Sequence, residues 1–511
     1  MSRLTRTLDG DEAVLARQPR DDIVRERTDG DDRFSMVRGP FAHYERTLVE
    51  AEDGRLTETT DYRLAPMVWP FPFAGLYRKA LAERRADGGK PWWSPPETPD
   101  AHAATAIGSL CALALVFGYI GTLLTQTITF AADEFSSSKA DQGATLAAVR
   151  IGVLGALALT ALADRKGRRQ VLLACAGLGV AVAALSGLAP DLVWLGVGQT
   201  IVRGLATAGG VLVVIVAAEE MPAGSRAFAI TLISATGALG AGLCLATLPL
   251  ADTSESGWRL VFAGSLLLLP IVRLVARHLP ESRRFDTAHL EVAMAGHGRR
   301  FWLLAVSALL LSLFTAPASQ LLNEFLRDEE GFSALQITLF SILTNTPGGI
   351  GLVIGGRLAD TRGRRLVGAF GVIGGTGLTV AMVLIGGWPM WALSVMASII
   401  GAAVVPALGV YGPELFPTSL RGRANGIIAI LGVTGSVIGL GAAGYLSDRW
   451  DGLGPALAVL SIGPLLMAIL VLVGYPETAH RELEELNPED RLAAASSPDG
   501  ARSDTPIPAV D

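Results

Sequence analysis

From Ala104 onward the chain alternates long apolar runs with short polar breaks. The runs are about 20 residues long, the length a helix needs to cross the hydrocarbon layer of a membrane. They predict helices over 106–130, 142–163, 170–188, 192–217, 227–250 and 259–279. After a polar stretch at 280–300, a second set follows over 301–322, 334–358, 366–387, 389–412, 424–446 and 455–475. The fold class that follows is an all-α integral membrane protein of about twelve transmembrane helices in two six-helix repeats, 104–279 and 301–475. From Pro476 the chain is polar again, and 476–511 reads as a tail.

Residues 1–103 form a polar extension. Its first part is densely charged, as in Asp9-Gly-Asp-Glu12 and Asp29-Gly-Asp-Asp32, and is expected to be disordered. Residues 66–80 are different: prolines and aromatics, Trp69 and Tyr77 among them, precede a short basic stretch over Leu76–Arg85, and Trp92-Trp93 follows. Aromatic and basic side chains favour the headgroup zone, so this is either a segment lying on the membrane surface or a hydrophobic linker folded on the bundle. Residues 1–35 lack the apolar core of a signal peptide, and the amino terminus is expected to stay in the cytoplasm.

Two polar breaks repeat. Asp164-Arg165-Lys166-Gly167-Arg168-Arg169 recurs as Asp360-Thr361-Arg362-Gly363-Arg364-Arg365, an offset of 360 − 164 = 196. Glu219-x-x-Pro222-x-x-x-Arg226 recurs as Glu414-x-x-Pro417-x-x-x-Arg421, an offset of 414 − 219 = 195. Matched offsets mean an internal duplication of a membrane bundle. In each cationic turn the glycine supplies a backbone angle that other residues resist. The arginines fall where anionic headgroups sit. The aspartate is free to pair with them or to face a helix amino terminus.

Composition sharpens the picture. The chain is 50% hydrophobic and 18% charged, against about 25% charged in soluble domains. Its 59 glycines suit close helix packing, notably Gly351 and Gly355, Gly435 and Gly439, and Gly237, Gly240 and Gly242. Cys111, Cys175 and Cys244 lie singly inside apolar runs and give no disulfide framework or metal spacing. No histidine sits mid-run, which argues against an intramembrane histidine relay. Arg165, Lys166, Arg168, Arg169, Arg226, Arg283, Arg284, Arg299, Arg300, Arg362, Arg364, Arg365, Arg421 and Arg423 crowd one set of breaks. The alternate set carries few cations, Lys139, Arg259, Arg327 and Arg449. The positive-inside bias then puts the first set, and both termini, in the cytoplasm.

The two cationic turns resemble the signature loop of the major facilitator superfamily, between helices two and three and again eight and nine. The second copy matches fully, from Gly356 to Arg365, while the first opens with Thr160 instead of glycine. The Glu-x-x-Pro-x-x-x-Arg pairs are similar to the family's breaks after helices four and ten. Pro280-Glu281-Ser282 and Pro476-Glu477-Thr478 resemble sugar-porter motifs that close each half, and Trp258-Arg259 is also common there. The resemblance covers about residues 104–486 and implies cytoplasmic ion pairs that hold the halves together. Carried over, these are Asp164, Arg168, Glu219 and Arg226 with Asp360, Arg364, Glu414 and Arg421, the turn glycines being Gly167 and Gly363.

Polar residues inside the runs point to a substrate path. Arg150 and Arg203 stand near the middles of helices two and four, a depth at which a cation usually faces a cavity or a partner. Tyr119, Gln126, Gln199, Gln320, Asn323, Asn345 and Tyr411 complete the candidate lining. Phe117-Gly118-Tyr119-Ile120-Gly121 resembles a sugar-porter stretch without its proton-coupling aspartate, so the coupling-ion candidates are Asp133, Glu134 and Glu324 near the outer helix ends. With no phosphate-binding loop, metal cluster or nucleophile elbow in the sequence, an enzyme is not expected. The expectation is a monomeric secondary transporter in the plasma membrane, without cofactor, metal or nucleic-acid partner. It carries a sugar or related polar metabolite by alternating access, driven by a proton or another ion. An organic anion or carboxylate is the near alternative, then a drug, then a non-transporting receptor or scaffold on the same fold.

Overall fold

Five strands between Ser2 and Leu64 form an antiparallel sheet where disorder is expected from the sequence. The computed structural model describes residues 1–490 except 31, 51–54, 66–70, 85–88, 138–140, 142–144, 147, 284–293, 333 and 451. Strands β1 (Ser2–Leu8), β2 (Arg25–Thr28), β3 (Arg33–Arg38), β4 (Phe41–Glu50) and β5 (Leu56–Leu64) lie in the order β1-β5-β4-β3-β2. Helix α1 (Gly10–Ala16) follows β1, and α2 (Phe71–Ala82) follows β5.

The inward positions explain both the fold and the mistaken expectation. β4 turns Phe41, Tyr44, Arg46 and Leu48 inward, and β5 turns Leu56, Glu58, Thr60 and Tyr62 inward. Period-two burial is therefore present, but charges interrupt its apolar signal. Arg46 binds Glu26 through two hydrogen bonds of 2.8 and 2.6 Å and reaches Glu58 at 3.2 Å. It also donates to the carbonyls of Ala16 and Gln18. Buried charge is tolerable when paired and hydrogen-bonded in this way. Arg20 pairs with Asp22 at 2.8 Å and donates to the carbonyls of Ala80 and Leu81, tying α2 to the sheet. Tyr77 and Leu81 of α2 are buried with Phe41 and Tyr44, and Trp93 stacks edge-on against Tyr77 at 5.1 Å. The aromatic segment, so far as it is described, is thus a part of this domain; Trp69 lies outside the described residues.

Among the described residues, eleven helices are long and apolar enough to cross a membrane. Span one (Ala101–Glu134) starts earlier than the apolar run, because Asp100 caps it by accepting from Ala103 N at 2.8 Å. The predicted span two is described as a turn at Arg150–Gly152 running into Val153–Lys166. Spans three to seven are Arg168–Ser186, Leu192–Glu220, Arg226–Thr247, Trp258–His278 and Gly298–Gln320. Span eight is broken into Ala334–Asn345 and Gly348–Arg362. Spans nine to twelve are Arg364–Ile385, Gly387–Glu414, Arg421–Trp450 and Leu453–Gly474.

The glycine faces fix the packing within each half. A Cβ on Gly240 would overlap the Leu115 carbonyl, so spans one and five touch backbone to backbone. Gly435 and Gly439 do the same against Leu309 and Leu313, joining spans seven and eleven. First-with-fifth pairing thus recurs as seventh-with-eleventh. Gly351 seats span eight on span ten, whereas Gly242 faces open space. Among the described residues, the first half has one continuous apolar core. The second has two, on either side of a cavity of about 410 Å³ lined by spans seven to ten.

Candidate functional site

The two cationic turns have nearly superposable backbones. Gly167 has φ 102° and ψ 140°, and Gly363 has φ 105° and ψ 142°, a region that penalises any Cβ. Each turn holds the start of the next span against a carboxylate from the end of its own half. Glu281 accepts from Arg168 N and Arg169 N at 3.1 and 3.0 Å, and Glu477 accepts from Arg364 N and Arg365 N at 3.0 and 3.2 Å. A carboxylate at a helix amino terminus meets the unpaired amides and the positive end of the dipole.

Ion pairs then cross between the halves. Arg168 lies 3.0 Å from Glu219, which is also bound by Arg421 of the other half. Arg364 binds Glu414, which also holds Arg226 at 3.1 Å from the other half. Asp164 caps span eleven, accepting from Gly422 N and Arg423 N at 3.1 and 2.9 Å. Asp360 caps span five, accepting from Ala227 N and Phe228 N at 3.2 and 2.9 Å. Arg168 donates across the boundary to the Thr418 carbonyl, and Arg364 donates to that of Ala223. All eight candidate gating side chains come together, and the halves are closed on this side.

Two further segments reinforce the closure, and neither was visible in the motifs. From the tail, Asp490 accepts from Thr418 N at 2.9 Å and pairs with Arg421 at 3.4 Å. Asn487 donates to the Glu414 carbonyl, and Glu482 pairs with Arg226 at 3.3 Å. From the other end, Arg357 of span eight donates to the carbonyls of Trp92 and Ser94. Glu97 accepts from Gly224 N, and its backbone exchanges two hydrogen bonds with the Ser225 hydroxyl. The linker from the sheet domain thus touches both halves.

The candidate lining separates into two groups. Arg150 of span two donates to Gln320 of span seven at 2.7 Å, a contact between the halves. Both line a space of about 760 Å³ with Thr434 and apolar residues of span eleven. Arg203 does not line that space; its Cβ packs against Gly152 of span two, 3.1 Å from where a Cβ there would lie. Arg203 is exposed and makes no hydrogen bond or ion pair among the described residues. Asn345, at the break in span eight, lines the cavity inside the second half with Thr376, Thr379 and Ser398. Those hydroxyls look like ordinary small helix residues in the sequence.

Other candidates are used structurally. Tyr119 is buried and turned inward, donating to the Val261 carbonyl at 2.9 Å, because span one packs against spans five and six there. Tyr411 is buried against Tyr475, with ring centroids 4.8 Å apart, one turn from Glu414 and far from mid-span. Gln199 is buried and Gln126 is half-buried; neither borders the spaces described above. Glu134 is bound by Trp258 Nε1 at 2.5 Å and by Arg259 at 2.8 Å, an anchor between spans one and six. Asp133 is exposed beside it. The side chains of Asn323 and Glu324 lie outside the described residues.

The sequence profile of the Major Facilitator Superfamily matches residues 108–439 and 331–498. The chain belongs to this superfamily. Among curated relatives, the cis,cis-muconate transport protein of Acinetobacter baylyi is 25% identical over 215 residues, 38% of this chain and 51% of that protein. The citrate-proton symporter of Salmonella typhi is 28% identical over 284 residues, 49% of this chain and 63% of that protein. The chain therefore spans about half of the first and under two thirds of the second. A probable 4-methylmuconolactone transporter of Cupriavidus pinatubonensis is 25% identical over 400 residues, 70% of this chain and 90% of that protein. Among solved structures, the proton:xylose symporter XylE has a TM-score of 0.62 at 18% identity, covering 76% of this chain and 99% of its own. The human organic anion transporter MFSD10 has a TM-score of 0.58 at 15% identity, covering 74% and 100%. These likenesses share the superfamily fold, and the chain is a multi-pass membrane protein built on it.

Proposed function

We propose that this transporter moves a small organic carboxylate across the plasma membrane by alternating access, in company with a proton. The observation that carries the reading is the pair Arg150 and Arg203: the first is bonded only to neutral Gln320, the second to nothing among the described residues. An uncompensated cation at membrane depth is costly, and an anionic substrate supplies the missing charge. A sugar does not, so the arginines favour the carboxylate alternative over the sugar. Relatives named for muconate and citrate transport agree with that choice. The arginine-rich side is read as cytoplasmic, so the closed halves correspond to a carrier that loads from outside. The protein acts as a carrier and not as an enzyme.

Flux into proteoliposomes tests this. With an inward proton gradient, labelled muconate or citrate is expected to accumulate and xylose is not. Arg203→Ala is expected to raise KM for the carboxylate at least about ten-fold, the loss of roughly 1.4 kcal/mol of binding. Accumulation of xylose alone, or binding of carboxylate without flux, overturns the proposal.

A further inference from the structure

An apolar cleft of about 280 Å³ lies outside the transport path, between the sheet domain and spans one and five. Phe73, Tyr77 and Trp93 of the domain roof it, and its walls descend along Ile107 and Cys111 of span one and Phe228 to Leu239 of span five. Both spans begin on the domain's side of the membrane and run away from it in parallel. From Phe228 to Leu239 the wall descends about 16 Å at 1.5 Å per helical residue. Half of a hydrocarbon core is about 15 Å. The cleft is therefore one leaflet deep. At its far end Leu239 is 61% exposed, so the apolar lining continues onto the outer surface of the span. At its near end, Arg78 and Lys79 follow Tyr77 on α2 and are exposed, Lys79 with Glu83 4.0 Å away at the surface. Two cations beside the roof and an apolar shaft below it match an anionic headgroup over an acyl chain.

We propose that this cleft binds an anionic phospholipid of the leaflet facing the sheet domain, its acyl chain between spans one and five and its headgroup at Arg78 and Lys79. The lipid then fastens the sheet domain to the bundle, since roof and walls belong to different parts of the chain. The inference needs only the membrane fold and holds whichever substrate is carried.

The test uses full-length protein in nanodiscs with a diazirine on the acyl chain of phosphatidylglycerol or phosphatidylcholine. With phosphatidylglycerol, adducts are expected to concentrate about five-fold in peptides 104–111 and 232–239 over the other spans. Ala104→Phe, and independently Thr236→Phe from the other wall, are expected to abolish that enrichment. Arg78→Glu with Lys79→Glu is expected to lower phosphatidylglycerol labelling and leave phosphatidylcholine labelling unchanged. Alkylation of Cys111 is a second readout: it lines the cleft, whereas Cys175 and Cys244 are fully buried, and the anionic lipid is expected to slow its reaction with N-ethylmaleimide. Labelling spread evenly over the spans, enrichment that persists in both filled variants, or Cys111 reactivity indifferent to phosphatidylglycerol overturns the proposal.

Discussion

Arg168 and Arg421, which come from opposite halves of the protein, share the carboxylate of Glu219. Arg364 and Arg226 share Glu414 in the same way with the halves exchanged. Each half contributes one acid and two arginines to a closure of near two-fold symmetry. All six side chains are buried, so their pairing is far from the weak case of exposed salt bridges and closer to a hydrogen-bonded internal network.

Removing one acid leaves two buried cations with less opposite charge around them, Asp360 beside Arg364 and Glu482 beside Arg226. Glu414→Gln is expected to cost about 3–5 kcal/mol in the closed state, the range for breaking a buried pair. Thermal unfolding of purified protein should show it as a fall in Tm. Adding Arg364→Met should return part of the loss, because one of the two cations that shared Glu414 goes with it. A double variant no more stable than the single one would count against a shared acid.

Asp360→Asn is milder. The amide keeps one acceptor for the amides of Ala227 and Phe228, but loses the charge that Arg364 and the helix dipole both favour. Expression is expected to stay intact while initial transport rates fall about ten-fold, equivalent to roughly 1.4 kcal/mol on the conformational step. Asp164→Asn occupies the equivalent place at span eleven and is expected to act in the same direction. Unchanged uptake kinetics in both variants would remove the aspartates from the gate.

The spans seven and eleven contact is a matter of shape alone. Gly435→Leu drives a side chain into the carbonyl of Leu309. Overpacking of this kind costs about 1–3 kcal/mol or more. Tm should fall by several degrees, whereas Gly242→Leu, facing open space, should leave it unchanged.

The sheet domain has its own acid limit. Burial would raise the Asp22 carboxyl, but hydrogen bonding and attraction from Arg20 outweigh it and hold the group below the ordinary carboxylate range. The unfolded chain binds the proton more readily, near pH ~3.9. Stability from the pair is therefore complete above that value and is lost as pH falls through the lower folded one. Hydrogen exchange in full-length protein should show protection around Ile23 and Val24 fading at acid pH, and Asp22→Asn should weaken it already at neutral pH. A neutral-pH profile untouched by the substitution would show that Arg20 needs no counter-ion.

Much of the membrane part was legible in the sequence because the apolar runs carry the helical information directly. The glycine pairs named contact faces, and the repeated Asp, Glu and Arg positions named the ion-pair network between the halves. What was not legible has a common cause: the partner of a polar group is set by folding, not by its neighbours in the chain. Arg46 reads as a surface charge until Glu26 and Glu58 close around it, and so the sequence of this sheet resembles a disordered segment. Tyr119 and Glu134 look like lining and titrating groups until Val261 and Arg259 are found at their ends. Asp490 lies more than 60 residues beyond Arg421 with no motif to announce it.

The linker between the sheet domain and span one sets a limit on movement. Arg357 of one half grips the carbonyls of Trp92 and Ser94, and Ser225 of the other half grips Glu97. Only three to five residues separate those anchors, a leash of at most about 18 Å when fully extended at ~3.6 Å per residue. Once that slack is taken up, further parting of the lobes must tear one end free. Cutting that tether, by Arg357→Ala together with Ser225→Ala, is expected to widen the separation the lobes can reach.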